Sequence, residues 1–312
     1  MKPDFLISVS NRAQSGELPE TNGREAEVKK LAYFVASDAA GNALLLGPPG
    51  VGKTQLVQAL ALSLAQSNSP HEVFEVDVTS FSCDTKYVGQ TEEKLRDLLA
   101  FAAEDKRRIF FIDEFHNFLG VGVYTGKPSG IIQNLKPALA NGSIRLIAAT
   151  TEMEFKKFVA EDGALERRFQ KLTLQNLSDE STLQVLVGLN RAARLSGDPH
   201  FATEALIEVL RAAQQSNPNT ANPGRSIKLF KNLQGEFDAG NEAVRLKQDP
   251  ITVLGQVSRA LESKGDYFKV VSALLSSAFT SSPSAPQTLQ SVRNALGETV
   301  PDITRESSRG AA

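Results

Sequence analysis

Gly47-Pro48-Pro49-Gly50-Val51-Gly52-Lys53-Thr54 spells a complete G-x-x-x-x-G-K-[ST] phosphate loop. The apolar run Ala43-Leu44-Leu45-Leu46 before it reads as a buried strand, and the Leu- and Ala-rich stretch from Gln55 to Ala65 after it reads as a helix. Strand, glycine-rich turn and helix together are the context the motif requires. The glycines let the backbone aim several N–H groups at one anion, and the helix N-terminus adds partial positive charge. Lys53 would then reach the β- and γ-phosphates, and the Thr54 hydroxyl would ligate Mg²⁺.

Outward from this loop, short apolar runs alternate with helical stretches. Residues 73–78 (Val-Phe-Glu-Val-Asp-Val) alternate like a strand, 108–113 (Arg-Ile-Phe-Phe-Ile-Asp) and 145–150 (Arg-Leu-Ile-Ala-Ala-Thr) read as buried strands, and 170–177 alternates again. Helices are expected at about 24–37, 91–104, 129–141 and 152–160. Strands alternating with helices imply an α/β domain with a mostly parallel sheet covered on both faces. Near Ser178 the pattern becomes all-helical. Leu206, Val209, Leu210 and Ala213 share one helix face, as do Phe230, Leu233 and Phe237, and again Val271, Leu274, Leu275 and Ala278. The Ser/Pro stretch from Ser276 to Pro286 reads as a linker.

Phosphoryl transfer needs a metal holder and a group that orients the attacking water. Ile112-Asp113-Glu114 offers both at the end of one strand, Asp113 holding Mg²⁺ through water and Glu114 polarising the nucleophile. The hydroxyls of Thr150 and Thr151 end a strand expected beside this one, placed to sense the γ-phosphate or the water. Arg167 and Arg168 stand just before the last strand of the domain. They are either fingers that stabilise transition-state charge on a neighbour's nucleotide or partners in a helix-end salt bridge.

Composition narrows the class. The chain has 312 residues, a net charge of −2 and 41% hydrophobic residues. Without a polybasic segment, nucleic acid is not indicated as a partner. The single cysteine, Cys83, cannot form an internal disulfide, no secretory signal pattern opens the chain, and no apolar run approaches a membrane span. A cytoplasmic soluble protein is expected. His71 and His200 are isolated, and His116 reads as a packing or hydrogen-bonding residue, so no zinc site is expected.

Together these residues resemble the AAA+ ATPases, and within them the first ATPase module of the Clp-type unfoldases and disaggregases. The resemblance runs through Gly23-Arg24, Gly47–Thr54, Lys86-Tyr87-Val88-Gly89-Gln90, Ile112–His116, residues 135–142 (Leu-Lys-Pro-Ala-Leu-Ala-Asn-Gly), Ala149-Thr150-Thr151 and Ala164–Gln170. It covers about residues 17 to 235. The Leu-Lys-Pro-Ala-Leu and Ala-Leu-Glu-Arg-Arg-Phe segments are its most specific parts.

The resemblance implies a P-loop fold with a five-stranded, mostly parallel sheet, followed by a small helical lid. The expected division is a polar N-terminal arm at 1–18, a nucleotide-binding domain at 19–177, a lid at 178–240, and additional helices with a flexible tail at 241–312. ATP and Mg²⁺ would be bound by Gly47–Thr54 and Asp113. Glu114, Thr151, Arg167 and Arg168 would be catalytic, the arginines acting on the next subunit of a homo-oligomeric ring, a hexamer in most of the family. Arg225, in Asn222-Pro223-Gly224-Arg225, would contact nucleotide from the lid or else be a solvated arginine at a helix start.

By the same resemblance Lys86, Tyr87, Val88 and Gly89 form a pore loop, with Tyr87 gripping a polypeptide; the alternative is an aromatic packed under the loop. A second glycine-rich loop, Gly120 to Lys127, would face the same channel. A single ATPase module is expected, so one ring layer would do all the work or serve as a switch. The expected function is ATP-driven remodelling or threading of protein substrates. The competing expectation is a nucleotide-gated scaffold for a secretion, conjugation or DNA-transaction complex.

Overall fold

The computed structural model describes residues 2–19, 23–36, 41–82, 88–121, 130–160, 162–198, 200–201, 203–216 and 220–245. The chain divides into two units, the first made of residues 1–181 with 219–224, the second of 182–218 with the chain from Arg225 onward.

The first unit opens with β1 (Leu6–Ser8), α1 (Val9–Gln14) and α2 (Glu25–Ala36). The nucleotide loop lies between β2 (Ala43–Leu46) and α3 (Lys53–Gln66). Then come β3 (Glu72–Val76), α4 (Val78–Ser82), α5 (Val88–Glu104), β4 (Arg108–Ile112), α6 (Phe115–Gly120) and α7 (Gly130–Ala140). β5 (Arg145–Thr150), α8 (Glu152–Phe158), α9 (Gly163–Glu166) and β6 (Gln170–Thr173) complete the sheet.

The sheet order is β1-β3-β4-β5-β2-β6. The five strands expected from the sequence are all parallel, and β1 adds a sixth, antiparallel to β3. Because both faces are covered, the central strands are apolar throughout, yet they still sort by parity. Leu44, Leu46, Phe110 and Ile112 face a core rich in phenylalanine, whereas Ala43, Leu45, Ile109 and Phe111 face an aliphatic core built on Leu56, Val57 and Leu60 of α3.

Residues 2–18, expected as a polar arm, are part of this sheet and its cores. Phe5 and Leu6 are buried in the aromatic core, and Val9, Ala13 and Leu18 in the aliphatic one. The ring of Phe5 meets Phe81 edge-on at 5.2 Å. Polar residues outnumber these apolar ones, which masks their wide spacing in a composition reading.

In the second unit α10 (Asp179–Ser196), which begins in the first, is followed by α11 (Thr203–Ser216) and α12 (Gly224–Arg245). Leu206, Val209, Leu210 and Ala213 are buried with Phe201, Leu229, Phe230 and Leu233, as the 3.6-residue spacing requires. The side chain of Phe237 and everything beyond Arg245, including the expected face at 271–278 and the linker at 276–286, lie outside the described residues.

Candidate nucleotide site

The strand order decides what can meet. β5 lies between β4 and β2, so the ends of three adjacent parallel strands bring Asp113, Thr150 and the loop 47–54 together at one edge of the sheet. Ligands in open α/β sheets sit at this carboxyl edge. The Gly47 N–H donates to the Thr150 carbonyl at 3.3 Å, tying the start of the loop to β5.

Gly52, at φ 100°, is the N-cap of α3, and no side chain caps that helix. A left-handed residue there is cheap only for glycine. The first-turn amides of a 14-residue helix are thus left to an anion. Lys53 is buried, and its ammonium donates to the carbonyls of Gly47 at 2.9 Å and Pro48 at 3.4 Å. Burial lowers its pKa, against the opposing pull of Glu114, Asp113 and Glu154. A phosphate would supply the counter-charge that two carbonyls supply only in part.

The Thr54 hydroxyl donates to Oδ2 of Asp113, so the phosphate loop and the acidic strand are in direct contact. A hydroxyl and a carboxylate side by side are the oxygen donors a hard divalent cation takes. The other oxygen of Asp113 accepts the Glu114 N–H at 2.9 Å. Glu114 has φ 46°, a left-handed conformation that is uncommon outside glycine, and it caps α6 without a side-chain bond. Its carboxylate is about half exposed, and burial, then Asp113, raises its pKa.

His116 joins Glu114 to the end of β5. Its Nδ1 lies 3.5 Å from Glu114 Oε2 and 3.2 Å from the Thr150 hydroxyl, and its Nε2 lies 3.2 Å from Glu154 Oε1. The fully buried Thr150 donates to Glu154 at 3.1 Å. The Thr151 hydroxyl accepts the Glu154 N–H at 3.3 Å and the Thr151 N–H donates to the Glu154 carboxylate at 3.2 Å, a reciprocal capping box on α8, and the Thr151 hydroxyl also donates to Glu154 at 2.8 Å. Glu114, His116 and Glu154 can bring ligand atoms within 4.8 Å of one another, and His116 lies against both carboxylates.

Arg167 and Arg168 follow α9 and are both exposed. The salt bridge at that helix end is made by Glu166 with Lys171, and neither arginine has an ion-pair partner among the described residues.

Residues 43–175 match the family described as ATPase family associated with various cellular activities (AAA). They form an AAA domain of the Clp-like kind. The FtsK/SpoIIIE family also matches, over residues 8–76 around the phosphate loop.

Chaperone protein ClpB of Aquifex aeolicus is 36% identical over 190 residues, covering 59% of this chain and 19% of that protein. ClpB of Vibrio cholerae is 30% identical over 84% of this chain and 32% of its own length, and chloroplastic ClpC2 of Arabidopsis thaliana is 30% identical over 84% and 27%. The chain therefore spans about a fifth to a third of these relatives. Among solved structures, the Saccharomyces cerevisiae Hsp104–ADP complex superposes with a TM-score of 0.69 at 25% identity, over 94% of this chain and 40% of that one. Hsp104 with ATPγS and FITC-casein in its closed state gives 0.67 at 27%, over 83% and 46%.

The remaining expected residues are not part of this cluster of described side chains. Lys86, Tyr87 and Cys83 lie outside the described residues, as do 122–127 of the second expected loop. Val88 and Gly89 form the first turn of α5. Arg225 stands in the first turn of α12, in the second unit. Among the described residues no helix is long and apolar enough to cross a membrane.

Three residues join the site that sequence reasoning did not assign to it. Arg24, 5% exposed, donates to the carbonyls of Val51 at 3.0 Å and Gln175 at 2.7 Å and pairs with Glu27, so it braces the middle of the phosphate loop. Glu154 was legible as the fourth residue of a Thr-x-x-Glu capping box. Glu75 on β3 is half-buried; burial and then the charge of Asp113 raise its pKa, and only the strand order brings the two acids near each other.

Proposed function

We propose that this AAA domain binds and hydrolyses ATP within a ring of like subunits, six in our reading, and uses the energy to remodel protein substrates. The observation that carries the hydrolytic part is the contact of Thr54 with Asp113, which unites phosphate holder and acidic strand beneath Lys53. Bound Mg²⁺, held by Thr54 and Asp113, would neutralise charge on the β- and γ-phosphate oxygens.

Lys53 and the first-turn amides of α3 would orient the triphosphate. Glu114 would accept a proton from the attacking water, its position held by His116 and its backbone by Asp113. The buried hydroxyl of Thr150 and that of Thr151 would report on the γ-phosphate to α8. Arg167 and Arg168, which have no ion-pair partner among the described residues, would complete the neighbouring subunit's site, where such a cation stabilises transition-state charge.

The remodelling part rests on the likeness to ClpB, ClpC2 and Hsp104, one of whose structures includes casein. Tyr87 would grip an extended chain without sequence preference, Lys86 and Gly89 flanking it, and Arg225 would contact nucleotide from the helical unit.

The test is capture with Glu114→Gln in ATP. It should retain nucleotide, ring and client together, and a form that binds ATP yet captures no polypeptide would contradict remodelling. Tyr87→Ala should abolish remodelling at an unchanged ATPase rate. If remodelling survived, the nucleotide-gated scaffold would be the better reading.

A further inference from the structure

The segment Leu-Lys-Pro-Ala-Leu at 135–139 and the turn that leads into Ala-Leu-Glu-Arg-Arg-Phe at 164–169 are linked in the fold by an ion pair. The Lys136 ammonium on α7 contacts Oδ2 of Asp162. The other carboxylate oxygen, Oδ1, accepts the Leu165 N–H at 3.1 Å, making Asp162 the N-cap of α9. That helix is only four residues long, too short to hold its own shape. It is fixed from outside: Asp162 to Lys136 at its start, Glu166 to Lys171 of β6 at its end, and buried Leu165 and Phe169 beneath it. Phe169 meets Phe115 edge-on at 5.8 Å. Arg167 and Arg168 leave this turn directly, their N–H groups donating to Gly163 at 3.4 Å and Leu165 at 3.1 Å.

We propose that Lys136 is a positioning residue for Arg167 and Arg168, so that it governs hydrolysis in the adjacent subunit's site and not in its own. The inference rests on the reading that these arginines act in trans. Lys136 and Asp162 are each about a third exposed, and an ion pair so exposed adds little to folding. Its consequence lies in geometry. Holding Asp162 holds the cap of α9, and the cap sets where the arginines point. Asp162 is the only charged partner of Lys136 among the described residues, so removing the lysine leaves Lys53, Thr54, Asp113 and Glu114 with the contacts they have.

The experiment compares Lys136→Met with Lys136→Arg in the full chain. Lys136→Met should shift the melting temperature by no more than about 3 °C. It should leave affinity for a fluorescent ATP analogue and the KM for ATP unchanged, while kcat falls about tenfold or more, as for misplaced catalytic groups. Lys136→Arg should restore the rate.

The decisive arm mixes Lys136→Met protomers with Glu114→Gln protomers before ATP is added. The former have intact sites and displaced arginines; the latter have dead sites and arginines in place. In a randomly mixed ring about one site in four pairs a sound pocket with well-placed arginines, so the mixture should reach about a quarter of the wild-type rate, above either variant alone. A mixture at the mean of its two components would overturn the proposal, as would full activity of Lys136→Met or a loss of nucleotide affinity matching its loss of rate. Arg167→Ala with Arg168→Ala, run in parallel, separates the failures. If that pair keeps the wild-type rate, the trans reading falls and takes this proposal with it. If it loses the rate while Lys136→Met keeps it, the role of Lys136 alone is overturned.

Discussion

The Gly224 N–H donates to the Gly50 carbonyl at 2.9 Å, so the backbone at residue 224 lies directly against the phosphate loop. Both residues belong to the first unit. The Ala221 N–H makes a parallel bond to the Pro49 carbonyl at 2.9 Å, which turns residues 221–224 into a brace for the loop.

A methyl group at 224 would meet the Cα and carbonyl oxygen of Gly50 at 2.6 Å, and backbone cannot move aside as a side chain can. Gly224→Ala should therefore destabilise the protein by about 1–3 kcal/mol, the usual cost of overpacking, and weaken ATP binding as the loop is displaced. Denaturant unfolding and analogue titration measure both. A variant matching the wild type in each would show that the brace has no effect on the loop.

Arg24 supports the same loop from another side. Arg24→Met would leave the carbonyls of Val51 and Gln175 without their donor, at a cost of about 1–3 kcal/mol for the unsatisfied groups. The variant should melt lower than the wild type, and ATP should recover part of the difference by binding only the folded state. Unchanged melting would contradict the brace.

Glu154 gives a pH signature. Burial pushes its carboxyl up, but the hydroxyl and N–H of Thr151, with His116 and Thr150, together hold it below the ordinary value of 4.5. A lowered carboxyl contributes stability above the unfolded pKa and loses it as pH falls through the folded pKa. Glu154→Gln should therefore melt below the wild type at pH 7, with the gap closing as pH falls below about 4.5. An equal gap at pH 7 and in acid would assign the role to shape and not to charge.

Much of this was legible because local signals agreed. The phosphate loop sits between a strand and a helix, and Ile109 to Ile112 is apolar enough to mark a strand covered on both faces, so the sheet could be read from short windows. Leu206, Val209, Leu210 and Ala213 gave the helical unit in the same way. What escaped depends on distant pairs. Glu75 is an ordinary strand residue until β3 and β4 pair, Arg24 braces residues 27 and 151 positions away, and Phe5 is buried only because β1 closes the sheet edge. The Thr-x-x-Glu pattern at 151–154 is by contrast a local signal, and it ties the Thr151 hydroxyl to Glu154.

ATP turnover per protomer, followed through a dilution series with assembly monitored by sedimentation, tests the central claim most directly. If Arg167 and Arg168 complete a neighbour's site, specific activity should fall in step with dissociation, and the double alanine variant should be slow at every concentration, by a factor on the order of 10³. Specific activity that stays constant as the assembly dissociates to single protomers would contradict the account.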